Sequence, residues 1–419
     1  MFGKKLPEVL VVGAGPVGLF AALVLSEHGI RVRIIDKEWR RAGHSYALAL
    51  HPSSLRLLKN VGLIEKVLTK CYQVQSVGLY EAQERRAELR LDALEEEFPF
   101  IAVMQQNVLE GILEEALKQH DIKVDWNHRL AHISTFEDYS HVVVEKLVKE
   151  SLGYIIARTE WVVSKSQRFD VPFVVGADGH HSLVRRALEI DYNPAGDTQN
   201  FAVFEFKTDA DLKKEMRLAV HDGSLNVLWP LPNRSCRWSF ELLDYQASEE
   251  SRTKDRFEIQ VGPGEYPMLT DEYLYELLKK RAPWFTSTVE SITWRHVVRF
   301  ERRLASTHGI QRAWLAGDAV HLTGPAGIQS MNVGLLEASD LANSIVRILQ
   351  DNESNELLKI YNDDWQTEWR FLLGLEDGIK PGEKVNPWVR EHSTALLPCI
   401  PASGDDLTKL LAQVGLKRT

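Results

Sequence analysis

The sequence predicts an α/β protein in which a parallel sheet with crossover helices is interrupted by a mostly antiparallel sheet and followed by C-terminal helices. Three observations carry this. Short continuous apolar runs recur at "EVLVVGAG", "FVVGADG" and "AWLAGD", each running into a glycine-bearing turn, as strands buried on both faces do. Residues 197–300 instead alternate apolar and polar side chains, with turns at Asp222-Gly223 and Pro232-Asn233. After that insert the chain returns to a buried strand and an amphipathic helix reaching about Gln350.

In order, residues 8–15 form the first strand, "PVGLFAALVLSEHG" a helix closed by Gly29, and "IRVRIID" the second strand, which completes a parallel strand-helix-strand unit. "SSLRLLKNVGL" predicts a helix ending near Gly62, and "NVLEGILEEALKQHD" another with Val108, Ile112, Leu113 and Leu117 on one face. "HVVVEKL" reads as a strand. The insert holds strands at "FAVFEFKT", "RLAVHDG", "LNVLWPL" and "CRWSFELL", and a helix at "DEYLYELLKKRAPWF". The tail carries a helix around Trp365 and Trp369, a Pro/Gly stretch over 380–387, and a last helix over 405–416 whose apolar face is expected to brace the nucleotide-binding part, with pairing against another subunit the alternative. The expected division is a discontinuous nucleotide-binding domain (1–72, 101–188 and 295–375), a substrate domain (73–100 and 189–294) and a helical tail (376–419).

The totals agree with this division. A chain of 419 residues suggests about two or three domains at roughly 150 residues each. A net charge of -9, with no Lys/Arg-rich run, leaves no footprint for nucleic acid. Cys71, Cys236 and Cys399 are scattered and fit neither a disulfide framework nor a metal site, so a reducing cytoplasm is expected. Residues 9–26 are uncharged, but three glycines and a proline crowd them, which favours a buried strand and helix over a signal peptide or membrane span.

Gly13, Gly15 and Gly18 form G-x-G-x-x-G between the first strand and its helix, with Pro16 and Val17 inside the turn. The first glycine permits the tight turn, the second lets backbone approach a pyrophosphate, and the third lets helix and strand pack closely. The helix N-terminus faces the phosphates with unpaired N–H groups. Asp36, followed by Lys37, stands where a carboxylate accepts bonds from ribose hydroxyls and repels a 2'-phosphate. The bound molecule is then FAD or NAD rather than NADP. Packing glycines alone would not require Asp36.

Two later segments, "GADGHHSLVRRAL" with Asp178, Gly179, Ser182 and Arg185, and "GDAVHLTGPAGIQSMNVG" with Gly317 and Asp318, complete three fingerprints in order. Over residues 7–350 the sequence thereby resembles the class A flavoprotein monooxygenases, the p-hydroxybenzoate hydroxylase-like family. The resemblance implies a Rossmann-like FAD-binding domain holding FAD tightly and non-covalently. It implies that Asp318 meets the ribityl chain, and that Pro325 faces the reacting substrate as the one catalytic backbone element, with no side-chain acid or base assigned. It also implies that the segment from Gly327 through Ser330, Met331 and Asn332 presents backbone donors to the flavin ring. A helix N-terminus there favours the reduced, negative ring. Asp178, Gly179 and Arg185 serve flavin and pyridine nucleotide, and Gln106 lies near the pyrophosphate unless it is a helix-capping amide. His321, His180 and His181 are expected as structural residues.

Two positions depart from the family. Tyr46, with His44 nearby, stands where an arginine is common, which bears on the route of the reductant. Ser330 replaces a common glycine but still presents its N–H. The implied reaction uses NAD(P)H as a transient co-substrate and O2, and hydroxylates an aromatic or polyketide-like molecule through a flavin C4a-hydroperoxide. The protein's part is to orient the ring and exclude water. Candidates on the inserted sheet are Trp229, Trp238, His221 and Arg237, with core packing the competing role for the tryptophans. A monomer or homodimer is expected, with no nucleic-acid partner, metal or membrane span. Rival expectations are a flavin-dependent reductase or oxidase of an isoprenoid and a non-catalytic flavoprotein; a halogenase is disfavoured because W-x-W-x-I-P is absent.

Overall fold

The computed structural model of the chain describes residues 6–40, 49–152, 158–243, 269–324, 326–376 and 378–418. The strand Val9–Val12 lies inside a six-stranded sheet ordered Gly309–Ile310, Ala313–Leu315, Phe173–Gly176, Val9–Val12, Val32–Asp36, Asp125–Trp126. All neighbours are parallel except the first pair. The helix Pro16–Glu27 is apolar on nearly every side because it is enclosed: it packs against the helices Gln106–Gln119 and Gln329–Gln350, and Leu19, Phe20, Leu23 and Leu25 are all buried.

The insert is a seven-stranded sheet in the order Ser291–Phe300, Gln199–Lys207, Ser235–Glu241, Ser224–Leu231, Glu215–His221, Ser76–Glu81, Glu84–Arg90. Only Glu215–His221 and Ser76–Glu81 pair in parallel. Residues 76–90 therefore join the insert, while the expected boundary at 295 falls inside the strand Ser291–Phe300. One face of this sheet carries Phe204, Phe206, Trp238 and Phe240, closed by Phe285 and the helix Asp271–Arg281. Trp238 stacks on Phe240 at 5.0 Å, so it is core and does not face a site. Truncating such a ring costs about 3–5 kcal/mol. That helix is set by its ends: Thr270 accepts from the Tyr273 amide, with Asp271 and Glu272 in the first turn and Lys279, Lys280 and Arg281 in the last.

Three elements differ from expectation. The "HVVVEKL" strand is longer, Ser140–Leu152, and pairs on both sides, with His128–Thr135 and with the unanticipated Arg158–Val171. The Pro/Gly stretch over 380–387 runs into an unanticipated helix: Pro387–Leu396 begins with Asn386 accepting from the Trp388 amide. The last helix is Gly404–Gln413, and Leu416–Arg418 is a strand paired with Ile379–Pro381. Gln413 exchanges hydrogen bonds with the Arg90 main chain, and Asp406 pairs with Arg56 at 2.8 Å. The tail thus grips both the insert and the helix Pro52–Asn60. No helix among the described residues is long and apolar enough to cross a membrane.

Candidate active site

The three glycine-bearing turns, far apart in sequence, touch one another. Gly13, at φ 106°, runs so close to the second turn that a Cβ there would stand 2.2 Å from Ala177 O. A Cβ on Gly18 would lie 2.0 Å from Gly13 O, so the helix is pressed onto its own turn. Gly15 is different: no protein atom lies within 4 Å of its Cβ position. It is also the N-cap of Pro16–Glu27, where no side chain caps the first-turn amides. Open space in front of uncapped amides is the geometry of an anion cradle.

The late turn closes onto the same place. Gly317 (φ 66°) rests on Val17, with a Cβ position 3.0 Å from Val17 Cγ2, and Gly334 of the helix Gln329–Gln350 packs on Gly317 and Val17. Arg185 ties the second turn to the third by donating to Ala319 O at 2.7 Å and to His180 O at 2.8 Å. The Tyr192 hydroxyl donates to Asp318 O.

The carboxylates differ in what they hold. Asp36 accepts from the Ala14 and Glu38 amides at 2.7 and 2.8 Å. Burial raises its pKa, while those two bonds and Lys37 pull the other way. Asp178 accepts from Ser182 Oγ and the Leu183 amide, both at 2.6 Å, and so shapes the start of the helix Leu183–Ala187. Burial raises its pKa too, against those bonds. Asp318 receives the Ser330 hydroxyl at 2.5 Å, so the serine replacing the usual glycine bonds to the late-turn carboxylate. Gln106 donates to Glu110 one helical turn on, at 2.8 Å, and Gly179 (φ 77°) lies in open space.

The late helix starts at Gln329 behind Ile328, whose φ of 51° is a strained left-handed conformation for a β-branched residue. Asn332 fixes this start. It accepts from the His51 amide and Ser54 Oγ and donates to Ala49 O and Ile328 O, using its full capacity across the two segments. His51 Nε2 contacts Gly327 O at 2.8 Å; burial pushes its pKa down to about 4, against that bond. Met331 is buried beside them. Pro325, Tyr46 and His44 lie outside the described residues.

Behind the late turn sits Glu337, which sequence reasoning missed. It is fully buried, and its Oε2 accepts from the Gly317 amide at 2.8 Å and His321 Nε2 at 2.9 Å. Trp369 Nε1 donates to its Oε1, and His308 Nε2 stands 3.5 Å away, adding attraction rather than a full hydrogen bond. Burial alone would raise the carboxyl pKa, but the charge of His321 and the two imidazoles' polar contacts outweigh it and hold it at about 2. His321 stacks on Trp369 at 3.6 Å and is a buried structural residue. A charged residue among Leu335, Ala338 and Leu341 on a buried helix face was the available signal.

The other face of the seven-stranded sheet looks toward this turn across two chambers that share Ala326. The first is narrow and lined by Val203, Trp229, Arg237, Ser239, Trp294 and Ile328. Trp229 and Arg237 are therefore at the cavity, whereas His221 is 3.1 Å from Asp222 in a turn. Arg237 is buried, paired with Glu205 and set over the Trp294 ring. The second chamber, about 370 Å³, reaches from Gly324 to His392 and Pro398 of the tail.

The FAD binding domain family matches the chain over residues 7–368. Among curated relatives, 6-methylpretetramide 4-monooxygenase of Streptomyces rimosus is 30% identical over 85% of this chain and 58% of its own length. Para-nitrophenol 4-monooxygenase of Pseudomonas sp. (strain WBC-3) is 23% identical over 94% of this chain and 89% of its own. The chain spans about three-fifths of the length of the first curated relatives it matches. The crystal structure of p-nitrophenol 4-monooxygenase from Pseudomonas putida DLL-E4 superposes with a TM-score of 0.73 at 19% identity, covering 99% of this chain and 100% of that one. With its three turns converging and the match extending over most of its length, the chain belongs to the FAD binding domain family, in the class A group that its motifs resemble.

Proposed function

We propose that this protein is an FAD-dependent monooxygenase that hydroxylates an aromatic or polycyclic small molecule with NAD(P)H and O2. The observation that carries it is the contact of Gly13 with Ala177, Gly317 with Val17 and Arg185 with Ala319, which gathers three distant motifs around an open anion cradle. The residues fit FAD. Gly15 and the first turn of Pro16–Glu27 would hold the pyrophosphate, with Pro16, Val17 and Gly18 shaping the turn; Asp36, beside Lys37, would hold the adenosine ribose, and Asp318 the ribityl hydroxyls. Backbone from Gly327 to Asn332 would hold the ring, Gln106 and Gly179 would flank the cofactor, and Pro325 would face the substrate.

When bound and reduced by the nicotinamide donor, FAD supplies activation of O2, so that one oxygen atom enters the substrate ring and the other leaves as water. This chain's own residues do the rest. The strained Ile328 and the fully bonded Asn332 hold the start of the late helix rigid, so its amides are preorganised where negative charge develops. The apolar walls of Val203, Trp229 and Trp294 exclude water from the reacting ring. Two relatives, a 6-methylpretetramide 4-monooxygenase and a para-nitrophenol 4-monooxygenase, support an aromatic or polyketide substrate class. Three free thiols suit a reducing, cytoplasmic setting.

The test is to measure FAD content of the purified protein, then NAD(P)H consumption and ¹⁸O incorporation from labelled O2 across phenols and polycyclic phenols. Asp318→Ala should weaken FAD binding on the order of tenfold or more, the worth of hydrogen bonds to a charged group. A wild-type protein that cannot be loaded with FAD, or a product whose oxygen comes from water, would end the proposal.

A further inference from the structure

One buried carboxylate holds the late turn twice. Glu337 accepts from the Gly317 amide, which fixes the main chain one residue before Asp318. It also accepts from His321 Nε2 at 2.9 Å, and the other nitrogen of that ring, Nδ1, stands 3.4 Å from Ser330 Oγ. The serine hydroxyl in turn donates to Asp318 Oδ1 at 2.5 Å. Ser330 and Glu337 are two turns apart on the helix Gln329–Gln350 and so share one of its faces, while Asp318 and His321 come from the turn and from the short strand His321–Leu322. The four side chains form a line that starts at a fully buried charge and ends on the carboxylate assigned to the ribityl chain.

Counting hydrogens gives the line its direction. A serine hydroxyl has one hydrogen, and the short bond to Asp318 uses it, so Ser330 Oγ can only accept from the imidazole behind it. The bond to a carboxylate is the stronger of the two, and the 3.4 Å contact is a brace. Glycine, common at position 330 in the family, supplies no such donor. The carboxylate of an aspartate can turn about two side-chain bonds, and each orientation that must be given up on binding costs affinity. A donor that fixes the orientation beforehand removes that cost. Resting on the function proposed above, we infer that the Ser330 hydroxyl is a positioning group for FAD, which presets the Asp318 carboxylate to receive the ribityl hydroxyls and is braced from behind by His321 and Glu337.

The experiment strips FAD from the purified holoprotein and titrates back two probes, FAD, followed by the change in its fluorescence, and ADP, followed by calorimetry. ADP carries the adenosine and two phosphates but no ribityl chain. Ser330→Ala keeps the backbone donors of the helix and removes only the hydroxyl. It should weaken FAD binding about three- to tenfold, the worth of one immobilised side chain, and leave ADP binding unchanged. Ser330→Thr, which keeps a hydroxyl, should bind FAD as wild type does. In an Asp318→Ala background, adding Ser330→Ala should cause no further loss, because the hydroxyl then has nothing to position. Wild-type affinity in Ser330→Ala, or an equal loss of FAD and ADP, would overturn the assignment and leave an FAD enzyme standing. A second loss of the same size in the Asp318→Ala background would mean that the hydroxyl acts on the cofactor without Asp318, and would overturn it as well. A wild-type protein that takes ADP but never FAD would instead refute the function on which the inference rests.

Discussion

Replacing Glu337 with glutamine tests how the late turn is held. The wild-type carboxylate accepts from the Gly317 amide, His321 and Trp369, and all of these are donors. Glutamine offers one acceptor oxygen and turns an NH2 group toward the rest, leaving at least one buried donor facing a donor. Holding the carboxyl at about 2 instead of its ordinary 4.5 corresponds to about 3 kcal/mol of folded-state stabilisation at neutral pH. Breaking a fully buried charge pair costs about 3–5 kcal/mol, so the two routes agree. The sign follows from the depressed value: this stability is complete above pH 4.5 and fades as pH falls toward 2. Denaturant unfolding of both proteins at pH 7 and at steps down to pH 3 reads it. Glu337→Gln should be less stable by about 3–5 kcal/mol at pH 7, with the gap narrowing steadily below pH 4.5. A gap under about 1 kcal/mol at pH 7, or one that stays constant on acidification, would refute the reasoning.

Two further perturbations separate binding from folding. Gly15→Val should abolish FAD binding while leaving the thermal midpoint of the apoprotein nearly unchanged, because the new side chain meets no protein atom. Gly18→Ala should instead lower the midpoint of the apoprotein, since its Cβ collides with Gly13 O; equal behaviour of the two in a thermal melt would contradict the assigned roles. His51 titrates in a different window from Glu337. Its imidazole is held at about 4 by burial, so protonation favours the unfolded chain, and about 3 kcal/mol should be lost as pH falls from 6.5 toward 4. His51→Gln should remove that component of the stability–pH curve, and an unchanged curve would show that His51 stays neutral without consequence.

What could be read from the sequence was what depends on neighbours in the chain. Gly13, Gly15 and Gly18 declare themselves because a turn, an approach and a packing contact each need a missing side chain within six residues. Asp36 declares itself by ending a strand. Alternation exposed the four strands of the insert between 199 and 241, because each has one face on a core and one toward the cavity. Arg158–Val171 went unread because its run, "RTEWVVSKSQRFDV", is dominated by charged and polar side chains. The Pro/Gly stretch over 380–387 hides a helix start, because Pro387 follows the Asn386 cap. Glu337 was out of reach for a different reason. Its meaning lies in which donors fold around it, and those come from distant parts of the chain.

The parallel pairing of Ser76–Glu81 with Glu215–His221 has a consequence for synthesis. The hairpin that precedes residue 90 leaves the ribosome with Val77 and Leu79 bare, and its hydrogen-bonding edge waits for a strand still to be translated. At about 5–20 residues per second that interval is on the order of ten seconds. During it the nascent chain presents a sticky ribbon that trigger-type chaperones would have to shield, so slowing elongation across codons 90–215 should raise the insoluble fraction unless such a chaperone is co-expressed.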